Sequence, residues 1–152
     1  MPKLKSFFRY WLPVLLWMVL IFGASSDRSS WQHSSRIIGP IVRWLFPQLS
    51  QRTVDDIVFV VRKCAHVTEY AIFAMLLWRA IRKPVRQDPR PWKGSEARFG
   101  LFLAALYSAT DEFHQTFVPN RQGSVWDVLV DTTGAALGLL FLWCIGRWRK
   151  RW

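Results

Sequence analysis

Cysteines, acidic residues and internal repeats are scarce in this chain. We expect its two cysteines, Cys64 and Cys144, at different depths of a helical bundle, beyond the ~7 Å limit for a disulfide. With only ten Asp and Glu among 152 residues, and with 51% hydrophobic residues, the composition excludes an ordinary soluble domain and leaves room for one unit. The lack of an evident repeat weighs against a transporter built from inverted repeats. We expect Cys64 to be a small buried residue.

Four apolar segments remain, and they predict an all-α polytopic membrane protein. Runs of about 20 residues, rising ~1.5 Å per residue, cross a hydrocarbon core of ~30 Å. The first segment resembles a secretory signal, but we interpret it as a retained helix. Thr53 and Ser124 are the expected N-caps of the second and fourth helices. We predict transmembrane helices at roughly 7–25, 53–81, 97–118 and 124–145, within a single domain at 7–145 that a basic cytoplasmic tail at 146–152 follows.

The two long connections differ in character. Between the first two helices, apolar residues from Ile37 to Leu45 recur at helical spacing, which fits either a short helix lying in the membrane interface or a loop packed over the bundle. Pro40 argues against the helix. The basic connection from Arg82 to Lys93 contains three prolines, so we expect no helix there.

The net charge of +11 is distributed as in a membrane protein. Fourteen of the 21 Lys and Arg lie before the first helix, around the second long connection, or at the C-terminus. The positive-inside rule places these three regions in the cytoplasm, with both termini inside. We therefore interpret the basic clusters as topology and lipid-headgroup determinants and expect no nucleic-acid partner.

Ionisable residues interrupt the apolar segments. A charge at mid-bilayer costs on the order of 3 kcal/mol, so such residues usually face a bundle interior and mark a functional site. The predicted topology brings them to one depth beneath the extracytoplasmic surface, and helical spacing of three, four or seven residues puts several on shared faces. The candidate catalytic residues are His66, Glu69, Asp111, Glu112, His114 and Asp127, and the candidate substrate-binding residues are Arg62, Lys63, Tyr70, Gln115, Arg121 and Asp131.

Two simpler interpretations remain beside catalysis or binding. The charges could neutralise one another, Arg62 with Glu69 and His66 with Asp111. The carboxylate and His pairs at i, i+3 also resemble those that bind metals in helical bundles. A divalent metal is not favoured, and no metal or cofactor is assigned, although its ligands would be His66, Glu69, Asp111 and His114. We interpret Ser108 and the glycines Gly134 and Gly138 as helix-packing residues.

The motifs resemble one known family. The segment Arg62 to Tyr70 (RKCAHVTEY), the segment Asp111 to Arg121 (DEFHQTFVPNR), and Asp127, Asp131 and Gly134 look like the VanZ-like family of bacterial membrane proteins, over residues 10–145. The resemblance implies the bacterial inner membrane, the cell envelope and a link to teicoplanin resistance, but no molecular activity. Asp131 stands where Asn is frequent in the family.

Depth and charge favour an anionic lipid as the ligand. The expected partner is a membrane lipid at the outer leaflet, such as a polyprenyl phosphate or a cell-wall lipid precursor, either bound or chemically processed. Whether the protein is an enzyme stays open. The alternatives are a small proton-linked transporter or channel, and a non-catalytic subunit of a membrane assembly.

Overall fold

The computed structural model describes residues 2–26, 30–85, 88, 90–118 and 123–152, with backbone alone at 2–3, 26 and 30–35. Over these ranges the fold is all-α, as predicted, and contains no strand. The helices are α1 (Pro2–Tyr10), α2 (Leu12–Ser26), α3 (Ser30–Leu45), α4 (Gln51–Arg82), α5 (Gly94–Gln115) and α6 (Val125–Trp148).

The first predicted helix is two helices. α1 and α2 meet at Trp11 with a bend of 41°, so the prediction of one continuous helix over 7–25 is wrong. The cause is Pro13, which has no backbone N–H to continue the hydrogen bonds of α1 and is well tolerated in the first turn of a helix. The chain therefore turns one residue ahead of Leu12 and starts a new helix in which Pro13 lies in the first turn.

Helix starts follow the predicted chemistry only in part. Ser50 caps α4, and its hydroxyl accepts from the Thr53 backbone N–H at 3.2 Å, so the assignment of the cap to Thr53 is wrong. Ser124 caps α6 as predicted and accepts from the Trp126 N–H at 3.2 Å. In both helices a serine hydroxyl satisfies a backbone donor that has no partner within the helix.

The segment between α2 and α4 is a helix. α3 runs from Ser30 to Leu45 with Pro40 inside it, so of the two alternatives for this connection the loop is wrong. Gly39 and Val42 are buried, as are Val54 and Val58 at the start of α4. This packing between α3 and α4 stabilises the helix in spite of the proline.

α4 is the centre of the bundle. It packs most extensively against α6, then against α5, and its Tyr70, Phe73 and Leu77 lie in the core. The packing interpretation of Gly134 and Gly138 is confirmed, because both are buried where α6 crosses α4.

The opposite face of α4 is exposed and carries Cys64. Both cysteines are free, as expected, but the prediction that Cys64 is buried is wrong.

The chain ends and the second connection meet at one end of the bundle. The Tyr10 hydroxyl donates to the Pro84 carbonyl at 2.8 Å, and the Trp152 ring lies 5.3 Å from that of Trp92. The described part of this connection, between Arg82 and Gly94, contains no helix, which confirms the prediction from its prolines.

Arg82 organises this end. Its guanidinium is buried and pairs with Asp88 at 3.4 Å and Glu96 at 3.1 Å. Arg90 holds the Asp88 carboxylate through two side-chain contacts of 2.7 and 2.8 Å. These hydrogen bonds, together with the charge of Arg82, hold the pKa of Asp88 well below its usual range.

Length and hydropathy identify few spanning helices. Among the described helices, α6 alone is both long enough and apolar enough to cross a membrane. The bent pair of α1 and α2 would add a second span if the two helices count as one. α4 and α5 carry most of the ionisable candidate residues and are not apolar enough to qualify. Length and hydropathy therefore do not confirm four spans.

Candidate functional site

Two contacts between polar side chains join α4 to α6. The Lys63 ammonium donates to an Asp127 carboxylate oxygen at 2.5 Å, and both side chains are about 30% exposed. One turn further along, the Nδ1 atom of His66 lies 3.5 Å from the Oδ1 atom of Asp131. The residues match because α4 and α6 run in the same direction, with three or four residues between successive contacts on each helix.

Asp131 is the most enclosed acid of the site. It is 1% exposed, and its Oδ2 atom accepts from the Ser108 hydroxyl at 2.7 Å. Tyr70 lies close enough to Asp131 for the two to interact electrostatically. The Tyr70 hydroxyl is buried near Asp131, and the Asp131 Oδ1 atom, also buried, has the 3.5 Å contact with His66. Buried polar atoms without a good hydrogen bond are costly, and an ordered water, a bound group or a catalytic role accounts for them in other proteins.

A second network lies at the end of α5. The side-chain amide of Gln115 donates toward Ser25 at 2.9 Å, Glu112 at 3.1 Å and Asp111 at 3.2 Å. The other Glu112 carboxylate oxygen accepts from the Ser124 backbone N–H at 2.8 Å. Gln115 therefore holds two buried carboxylates, and Glu112 attaches the end of α5 to the beginning of α6.

Gly123 is required for this attachment. A Cβ atom at position 123 would lie 2.2 Å from the Glu112 carbonyl oxygen, so the backbone before α6 rests directly on α5. No larger residue fits there without displacing the loop from Glu112.

The remaining candidates are distributed around these networks. Glu69 is half-buried and lies near His66, Asp111 and Asp131. The His114 ring packs against Phe22 at 4.6 Å, with its Nδ1 atom buried and without a hydrogen-bond partner in the described part of the chain. Arg62 is half-buried on α4. Arg121 lies outside the described residues.

The alternative interpretations fare differently. His66 pairs with Asp131, so its proposed neutralisation by Asp111 is wrong. The described His, Cys, Asp and Glu residues form no group of three that could hold a metal ion. The structure thus gives the four proposed metal ligands no common centre.

Two residues of the site were missed from the sequence. Ser108 binds Asp131 and does more than pack, and its position three residues before Asp111 on the same helical face was the available signal. Ser25 binds Gln115 from the end of α2. Nothing local to Ser25 indicates that contact, because it depends on how α2 packs against α5.

The site offers acid and base chemistry. The described residues bring together five carboxylates, two imidazoles and the ammonium group of Lys63. Ser108 is fully buried and bound to a carboxylate, so it is not placed to attack a substrate. His66 and the partly exposed pair of Lys63 and Asp127 form the accessible side of the cluster.

A helical bundle with an apolar exterior and a polar cluster near one end defines a class of membrane proteins. The chain matches the VanZ/LLP1 family over residues 10–146 and belongs to that family. Family membership and the apolar helix α6 together indicate a membrane protein. No curated protein and no solved structure matches the chain significantly.

Proposed function

We propose that the protein spans the bacterial inner membrane four times and binds or processes an anionic lipid at the outer leaflet. The family supports the membrane location. The exterior of the bundle supports more than one span, because large apolar side chains are exposed along α2, α5 and α6, a pattern that a soluble protein does not sustain. They include Leu16, Val19, Phe102, Leu106, Leu137 and Leu140.

Helix α6 is unlike the core helix of a soluble protein. Only 28% of its apolar window is buried inside the bundle, so most of this window must face lipid or another chain. The ionisable groups of α4 and α5 are compatible with spanning because many of them pair inside the bundle.

Charge orients the proposed spans. The basic N-terminus, the connection between α4 and α5 and the C-terminus meet at one end, which the positive-inside rule places in the cytoplasm. The polar cluster lies in the other half of the bundle, around the ends of α2 and α5 and the start of α6. In this orientation it opens toward the outer leaflet.

The partly exposed pair of Lys63 and Asp127 is the observation that carries the lipid proposal. A phosphate can take the place of the Asp127 carboxylate on the Lys63 ammonium. His66 lies one turn below and can transfer a proton to or from the bound group. A polyprenyl phosphate or a wall precursor fits this chemistry. The family resemblance links the protein to glycopeptide resistance.

Lipids that copurify with the protein test this proposal. We would extract wild type, Lys63→Gln and the control Lys93→Gln gently and identify bound lipids by mass spectrometry. Lys93 is exposed at the opposite end of the bundle. We expect Lys63→Gln to lose anionic lipids relative to zwitterionic phospholipids and Lys93→Gln to resemble wild type. Equal amounts of the same lipids in all three proteins would contradict the proposal.

Activity variants separate binding from a structural role. Glu69→Gln and Asp111→Asn keep volume and hydrogen-bonding capacity, while Arg121→Lys keeps charge but removes the planar fork that matches phosphate. We expect all three variants to insert and fold, and to bind or process the lipid less well than wild type. Lost expression in each of them would favour a structural ion network.

One observation favours a proton-linked transporter as the second candidate. Asp111 and Asp131 are both buried, 5% and 1% exposed, and Glu69 lies near both. Such carboxylate chains also serve as proton relays. Proteoliposomes with a trapped pH dye would test this, because Asp131→Asn should abolish proton flux that the control Asp56→Asn, at an exposed position near the start of α4, retains.

A further inference from the structure

An apolar slot lies beside the polar cluster, between α2 and α5. It is a cavity of about 320 Å³ with almost no polar lining surface. The buried side chains of Phe73 and Leu77 on α4 form its floor, and the exposed side chains of Leu15 and Leu106 form its two rims. The slot is therefore open along one side, toward the region that the membrane occupies in the proposed topology.

Two hydrogen bonds fix the width of the slot. The Tyr107 hydroxyl donates to the Met18 carbonyl at 2.7 Å and ties α5 to α2. The indole N–H of Trp17 donates to the Glu69 carbonyl at 3.0 Å and ties α2 to α4. In each bond a side chain of one helix donates to a backbone carbonyl of another helix. The two bonds therefore hold α2 at a fixed distance from α5 and α4.

The dimensions of the slot select its occupant. Its lining runs from Trp11, directly before α2, to Met18 on α2, and from Leu103 to Thr110 on α5, which corresponds to a length of about 10 Å along each segment. The cavity of about 320 Å³ is smaller than a helix segment of that length, whose diameter is about 10 Å or more. A single chain of methylene groups fits.

The slot also lies in the right place for the tail of a lipid. The end of the slot nearer the polar cluster is formed by Tyr107 and the exposed Thr110. Thr110 directly precedes Asp111, which belongs to the cluster. From there it extends away from the cluster toward the end that carries Trp11 and Leu77. A lipid whose headgroup lies at the cluster would thus direct one chain along the slot.

We propose that this slot binds one hydrocarbon chain of an outer-leaflet lipid, so that the ligand is recognised by its chain as well as by its headgroup. The inference rests on the proposed function, to which it adds the chain-binding part of the site. Within a bilayer the chain gains close packing against Phe73 and Leu77, not removal from water, since the surrounding lipid is equally apolar. Selectivity then comes from the fixed width of the slot.

Photo-labelling tests the slot directly. The full chain would be reconstituted in phosphatidylcholine nanodiscs that contain a trace of phosphatidic acid carrying a diazirine in one acyl chain. Mass spectrometry would compare adducts at slot residues with adducts at Leu137 and Leu140, which are exposed on α6 outside the slot. We expect several-fold more labelling in the slot.

A matched pair of variants on α5 separates the slot from the lipid-facing surface. Leu106 (51% exposed) forms a rim of the slot, whereas Phe102 (59% exposed) lies one turn away and does not line it. We expect Leu106→Trp to fill the slot and reduce its labelling to the level on α6, while Phe102→Trp leaves the excess intact. Both residues are exposed, so either substitution should leave the fold intact.

The outcomes distinguish the slot from the proposed function. Even labelling around the bundle, or an excess that survives Leu106→Trp, would overturn the slot whatever lipids copurify with the protein. A diacylglycerol probe with the same diazirine reports on the headgroup. Equal slot labelling by both probes would support the slot and count against an anionic headgroup.

Discussion

Gly134 on α6 lies directly against Val67 on α4, and a Cβ atom at Gly134 would come within 2.4 Å of the Val67 carbonyl oxygen. Gly138 stands in the same relation to Ala71, also at 2.4 Å. The two contacts set the register between parallel helices, and this register brings Lys63 opposite Asp127 and His66 opposite Asp131. The polar contacts of the site therefore depend on the close backbone approach below them.

Gly134→Ala should destabilise the bundle by about 1–3 kcal/mol, because the added methyl group meets backbone atoms that cannot move aside locally. Thermal unfolding of purified protein, followed by tryptophan fluorescence, would measure the loss. Gly23→Ala is the matched control on α2, where nothing lies within 4 Å of the added atom. Equal unfolding temperatures for both variants and wild type would show that α4 and α6 are not in close contact.

Lys63 and Asp127 should show coupling in a double-mutant cycle. Removing either partner leaves a partly exposed charge without its contact. The free energy of unfolding should therefore fall by less in the double variant than the sum of the losses in Lys63→Met and Asp127→Asn alone. Because both side chains are partly exposed, we expect a coupling of about 1 kcal/mol or less. The exchange Lys63→Asp with Asp127→Lys should recover part of the stability. Strictly additive effects would mean that the contact does not form in the membrane.

Ser108→Ala should cost about 1–3 kcal/mol, since it leaves the fully buried Asp131 without its only side-chain hydrogen bond of normal length among the described residues. The exposed Ser95 offers a control in Ser95→Ala. An unchanged unfolding temperature for Ser108→Ala would exclude a structural role for this bond.

The sequence predicted features that depend on neighbours along the chain. Apolar periodicity located α4, α5 and α6 to within a few residues, and helical spacing placed Asp127 and Asp131 on one face. Ser124 capped its helix because the cap involves residues two positions apart. The depth argument brought the charged residues to one half of the bundle, where the described ones lie.

Partners across helices could not be predicted in the same way. His66 meets Asp131 and not Asp111 because the glycines of α6 allow a closer approach to α4 than periodicity reveals. Ser25 reaches Gln115 only because α2, after the break before Pro13, packs beside α5. The exposure of Cys64 follows from which face of α4 remains outside the bundle, which is a property of all the helices together.

Asp88 gives the end with both termini a dependence on pH. Its pKa is held below the usual range by the hydrogen bonds from Arg90, with a further effect from the charge of Arg82. A carboxyl group whose pKa is lower in the folded than in the unfolded state stabilises the fold above the unfolded pKa, and the effect is lost as pH falls toward the folded pKa. The stabilisation should therefore be constant near neutral pH and decline below about pH 4.

Asp88→Asn should reveal this dependence. The variant removes the charge that pairs with the buried Arg82, although Glu96 still contacts that guanidinium at 3.1 Å. We expect a lower unfolding temperature than wild type at neutral pH and a difference that narrows below about pH 4, where the wild-type carboxyl group begins to take up a proton. Asp56→Asn, at an exposed position near the start of α4, should match wild type throughout. A gap that widens on acidification would show that Asp88 destabilises this end of the bundle when it is charged.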